Sequence, residues 1–173
     1  MDGHPRGRAQ PDQGGARDIL TFDIERLSRY SIPPALLEAH YKELAPLQHI
    51  NKLKPDWEAY SHMQQLGDLL FVTARITTRP CHMVGYMVLV VRPHLHYGDV
   101  LVAIDDIHYL APEYRGAGWG KKLIEFAEQA AANMGAKIFS VRCKAKSNHG
   151  YIFESLGYEL TDLVYIKDLT NVG

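Results

Sequence analysis

The stretch Arg115-Gly116-Ala117-Gly118-Trp119-Gly120 lies between an apolar run, Val100–Leu110, and an amphipathic run, Lys121–Met134. Pro112 stops the first pattern, and Leu123, Ile124, Phe126, Ala127, Ala130, Ala131 and Met134 form a helical stripe in the second. A glycine-rich turn that ends a strand and opens a helix presents unpaired backbone N–H groups at the positive end of the helix, which suits a phosphate. The same glycines also suit a plain strand-to-helix turn that needs φ > 0. At ~7% glycine, two glycines at fixed spacing arise about once in 200 positions, so the order strand, turn, helix carries the reading rather than the glycines alone.

Outward from this turn the chain alternates elements. Asp18–Ile24 suits a first, outer strand, and helices are expected over Pro34 to about Leu44 and Pro55 to about Leu66, each opened by a proline, with Gly67 as a stop. Leu69–Ile76 and Met83–Val91 read as strands joined by a hairpin at Thr77–Cys81, and the turn Arg92–Asp99 leads into the central strand Val100–Leu110. After the glycine turn and its helix, closed at Gly135, Lys137–Cys143 returns as a parallel strand through a right-handed crossover. A short helix, about His149–Leu156, closes at Gly157, and Asp162–Leu169 reads as a last strand. The fold class is therefore α/β, a mixed sheet with helices on both faces. Residues 1–16, rich in Gly, Pro, Arg and Asp, read as a flexible tail, and 17–173 as a single domain.

The 173 residues, 46% of them hydrophobic, are enough to bury roughly 70% of the unfolded surface. With 19 basic and 20 acidic residues, charge gives no support to a strong grip on nucleic acid. Two cysteines, Cys81 and Cys143, fit a reduced cytoplasmic protein. No apolar run reaches the ~20 residues of a membrane span, and no signal-peptide core is evident. Neither a membrane partner nor a bound metal is expected; His94, His96 and Asp99 form too loose a set for a metal shell.

The run Ile104–Gly120 resembles the central motif of the GCN5-related N-acetyltransferases (GNAT). The family signature of Arg or Gln, two residues, Gly, one residue, Gly or Ala is met by Arg115, Gly118 and Gly120. The resemblance spans about Asp18 to Leu169 and is closest to acetyltransferases of bacteriophage genomes. It implies acetyl-CoA as the phosphate-bearing co-substrate, gripped by Arg115, Gly116, Ala117, Gly118, Trp119 and Gly120. It also implies a fork between the central strand and the next parallel strand, where pantetheine bonds to backbone near Tyr109 and Leu110. Asn148 and Phe153 fall near family positions that contact the cofactor. At Phe153 the family usually carries a tyrosine that protonates the leaving thiol, so this chain departs from the pattern there. Tyr151, two residues away and roughly 200° around a helix, does not substitute.

Acetyl transfer to an amine sets two proton problems. Freeing an amine of pKa ~10.4 at pH 7 costs about 4–5 kcal/mol, so a base is valuable, whereas a thiol near ~8.5 departs tolerably unaided. Asp105 and Asp106 interrupt a strand that otherwise reads as buried, where a carboxylate must be paired, hydrogen-bonded or kept for chemistry. By period two they face opposite ways, and Asp106 shares a face with His108 and Leu110. Asp106 is the preferred base; a structural bond to His108 or an arginine is the competing reading. His96 and Tyr97 in the turn before the central strand, near the expected mouth of the fork, together with His40, Trp57 and Tyr60 on the first two helices, are candidates for the acceptor wall; core packing accounts for the helix residues equally. Arg142, Lys144 and Lys146 alternate after the crossover and suit either phosphates or solvent. The expected activity is acetyl transfer to a small amine, a protein amine or an aminated nucleobase. The alternative is a weak or inactive acyl-CoA-binding module. Homodimer formation is left open.

Overall fold

The computed structural model describes residues 18–43, 53–144 and 150–169. The tail 1–16 and the candidates Lys146 and Asn148 lie outside them. The elements are β1 (Leu20–Glu25), α1 (Pro34–Glu43), α2 (Trp57–Leu66), β2 (Leu69–Ile76), β3 (Arg79–His94), β4 (Tyr97–Leu110), a 3-10 turn (Pro112–Tyr114), α3 (Trp119–Asn133), β5 (Ile138–Ser140) and α4 (Gly150–Ser155). The sheet runs β1-β2-β3-β4-β5, antiparallel except for the parallel β4–β5 pair.

Apolar continuity explains β2 and β3, whose Phe71, Val72, Tyr86, Met87, Val88 and Leu89 form the innermost core. One face of the sheet carries α1 and α2: the His40 ring lies against Tyr86 and Tyr109. The other carries α3 and α4: Phe22 of β1 meets Trp119 and Phe126, and Phe153 meets Tyr158, whose hydroxyl donates to Glu128 of α3.

Several boundaries differ from expectation. Helix α2 begins at Trp57, because Asp56 caps it by accepting from the Ala59 N–H at 3.0 Å; Pro55 therefore stands before the cap. Gly67 ends it at φ +80, with its N–H and that of Asp68 bonded to the carbonyls of Gln64 and Met63. The hairpins are tighter than the sequence suggests: Ile76 pairs with Arg79 and His94 with Tyr97, leaving only Thr77-Thr78 and Leu95-His96 as loops. Strand β5 pairs only at Val102–Ile104, and residues 141–144 continue without sheet partners. Asp162–Leu169 forms no strand: β5 is too short to offer an edge, and Leu163, Val164, Tyr165 and Ile166 stay exposed.

Candidate active site

The decisive local feature is a bulge in β4. Val88 pairs with Ile107 and Leu89 with Asp105, so Asp106 is an extra residue with no partner on β3. A bulge resets the in–out alternation, which corrects the period-two reading that puts Asp106 and His108 on one face. Asp105 and His108 share the α3/α4 face and are bonded, His108 Nδ1 to Asp105 Oδ2 at 2.8 Å. Asp106 turns to the α1/α2 face and accepts from the Tyr60 hydroxyl at 2.5 Å. Trp57 packs beside Tyr60, with ring centroids 6.0 Å apart, so α2 walls this carboxylate. Burial, then the bond to Asp106, pushes the Tyr60 hydroxyl well above its usual range, so it remains a donor at neutral pH.

Asp105 is 2% exposed, and its Oδ1 has no partner among the described residues. Its second oxygen holds His108, and its carbonyl accepts from the Arg142 guanidinium at 2.8 Å. Arg142 therefore closes the root of the fork, where the sequence left it between phosphate and solvent. From Asp106 to Leu110, β4 has no strand on the β5 side. The fork opens toward the C-terminal end of β4, about 17 Å of extended chain from Asp105 to Leu110.

At that end the Gly116–Gly120 turn is set by Arg115. Its Nε donates to the Leu110 carbonyl at 2.7 Å, its guanidinium pairs with Glu43 of α1 at 2.9 Å, and it lies over the Tyr109 ring. The arginine side chain is thus engaged within the protein, and a ligand must be met by backbone. Gly116 and Gly118 hold φ +78 and +81, a region that costs other residues about 1–2 kcal/mol. Among the described residues, the N–H groups of Gly116 to Lys121 reach no protein acceptor. These amides stand at the N-terminus of the 15-residue α3. Donor chemistry of this kind fits a pyrophosphate, and the bare β4 edge fits an amide-bearing arm. Gly85 secures the approach of β4: a Cβ there would lie 2.8 Å from both the Tyr109 carbonyl oxygen and Leu110 Cδ1.

The other candidates separate. His40 is buried, with Nδ1 bonded to the Tyr86 hydroxyl at 2.7 Å and its ring stacked on Tyr109, so it backs the wall from within the core. Burial, then the like charges of His108 and Lys144, lowers its pKa to about 4. His96 and Tyr97 occupy the far hairpin tip, beside a concavity of about 260 Å³ lined by Arg92, His94, Val102 and Ile104. Because β5 pairs at Val102–Ile104, this tip lies at the closed end of the fork, about 30 Å of strand from Tyr97 to Asp106, and not at its mouth. Phe153 is buried, 6.3 Å from the His108 ring. The sequence reading missed Gly85 and Glu43 and gave His108 only a supporting part. Among the described residues, no group of three or more His, Cys, Asp or Glu is placed to hold a metal.

Residues 69–160, more than half the chain, match the family model of the acetyltransferase (GNAT) domain. The chain belongs to the GNAT family. Its members are acetyltransferases that use acetyl-CoA as co-substrate. A search of curated proteins returned no match. Among solved structures, a putative acetyl transferase from Pyrococcus furiosus is 19% identical with a TM-score of 0.62, covering 87% of this chain and 99% of that one. An aminoglycoside acetyltransferase from an uncultured soil metagenomic sample, in complex with trehalose, is 19% identical with a TM-score of 0.63 over 86% and 97%. A transcriptional regulator from Bacillus halodurans is 14% identical with a TM-score of 0.65 over 87% and 99%. These likenesses show the GNAT fold. No helix is long and apolar enough to cross a membrane among the described residues.

Proposed function

We propose that this GNAT protein moves an acetyl group from acetyl-CoA to a primary amine by direct attack, with residues 17–173 acting as one domain. The observation that carries the reading is the row of unpartnered N–H groups from Gly116 to Lys121, adjoining the open β4 edge. The loop takes the pyrophosphate; Tyr109 and Leu110 line the path of the pantetheine arm. Asp106 accepts the proton of the attacking nitrogen, directly or through water. Tyr60 occupies one of its oxygens, leaving Oδ1 for the amine. Asp105, buried and committed to His108, positions that ring and does not meet the acceptor.

The acceptor is a small metabolite amine, a protein amine or an aminated nucleobase. The bacteriophage-type resemblance motivates the last; the near-equal charge counts lend it no electrostatic help. Thermal unfolding with acetyl-CoA, ATP and NAD, followed by free-thiol release across an amine panel, tests the proposal. Acetyl-CoA at ~100 times its dissociation constant adds about 2.7 kcal/mol, roughly 5–10 °C at this size. A larger shift with ATP or NAD overturns the ligand, and tight acetyl-CoA binding without turnover of any amine favours the inactive binding module.

A further inference from the structure

The family's usual thiol-protonating tyrosine is replaced by Phe153, yet the ring nearest Phe153 on β4 is an imidazole. We infer that His108, oriented by Asp105, gives the proton to the departing sulfur. The inference rests on the acetyl-transfer reading above.

Three observations converge. His108 Nδ1 is bonded to the buried Asp105 carboxylate, which fixes one nitrogen of the ring and leaves Nε2 free; the side chain is 35% exposed. The ring lies edge-on to Phe153 on the unpartnered stretch of β4, inside the fork. Asp105 Oδ1 is buried with no partner among the described residues, an arrangement that costs about 1–3 kcal/mol in a purely structural pair. A carboxylate with spare charge beside an imidazole stabilises the imidazolium, the form that donates. The other charged and titratable groups around the pair are Arg142, bonded to the Asp105 carbonyl, Lys144 beyond it, Tyr158 behind Asp105, and His40 on α1. His40, with its pKa near 4, adds no charge at neutral pH.

The bulge thereby places two proton-handling pairs on opposite faces of one strand: Tyr60–Asp106 toward the amine and Asp105–His108 toward the thiol. As the N–C bond forms and the C–S bond breaks, the nitrogen's proton passes to Asp106 and the Nε2 proton of His108 passes to sulfur. Asp106 then loses its proton to solvent, and His108 regains one from it.

The test follows the His108 ring by 15N NMR in the full chain, titrated with coenzyme A and with desulfo-coenzyme A. Coenzyme A is expected to move the His108 ring signals where the desulfo analogue does not, with His94 at the hairpin tip unmoved by either. Equal responses to both ligands overturn the inference while leaving the acetyl-CoA reading intact. No binding by either, seen as unmoved Gly116–Gly120 amides, removes that reading and the inference with it. With any amine that turns over, His108→Gln is expected to lower kcat about 10²–10⁴-fold. The KM for acetyl-CoA stays unchanged, and the alkaline limb of the kcat profile disappears; a retained kcat and limb overturn the assignment.

Discussion

The buried His40–Tyr86–Tyr109 cluster makes stability fall with acid in a calculable way. The unfolded chain takes up a proton at the ordinary imidazole pKa near 6.5, whereas the folded chain resists until about 4, so protons favour unfolding throughout that interval. His40's contribution is fully present above pH 6.5 and is lost as pH falls toward 4. Two and a half pH units at 1.36 kcal/mol each give about 3 kcal/mol, roughly 6–12 °C of melting temperature. The assay is urea denaturation at 25 °C from pH 7.5 to 4.5, comparing wild type with His40→Gln. Glu25, held below its usual range chiefly by its bond to Arg75, adds its own acid sensitivity only below about pH 4.5, outside this window. The variant loses stability overall through the weakened Tyr86 bond, but its curve is expected to be flatter by about 2–3 kcal/mol across the window. A wild-type minus variant difference constant to within about 0.5 kcal/mol would falsify the burial argument.

Two further outcomes follow from the site. Asp106→Asn is expected to lower kcat about 10²–10⁴-fold, most severely at low pH, with acetyl-CoA binding retained; an unchanged pH–rate profile removes Asp106 as base. Tyr60→Phe is milder, about tenfold to a hundredfold, the worth of one bond to a charged group. Gly85→Ala, whose Cβ meets backbone at 2.8 Å, should cost about 2 kcal/mol or more, whereas Gly120→Ala, with its nearest neighbour at 4.0 Å, keeps its stability and weakens coenzyme A binding. Equal melting temperatures for Gly85→Ala and wild type would refute the packing claim.

Much of this was legible in the residues. Leu69–Ile76 is a strand with the bounds its apolar run suggests, because both of its faces are covered and hydrophobicity alone marks its ends. Gly67 and the Arg115–Gly120 turn could be read because left-handed backbone selects glycine. The pairing of Asp105 with His108 could not. Sequence spacing assumes unbroken alternation, and an extra residue in β4 is visible only against the β3 register. The length of β5 was equally hidden: Val141 and Cys143 have the residue types of a strand, yet the chain departs once Arg142 turns to the Asp105 carbonyl. The Asp162–Leu169 run fails for the related reason that strand propensity needs an edge to pair with.

The extra residue at Asp106 also acts as a phase inverter. A chain one residue shorter there would keep Asp105 in place but carry every later side chain of β4 to the opposite side. Tyr109 would then point at α3 and Leu110 at His40, Gly85 would face an aromatic ring, and the glycine turn would leave the sheet on the wrong side of α1. A single codon therefore separates a working cleft from an inverted one, so deletions at this point should be far more damaging than any substitution of the aspartate itself.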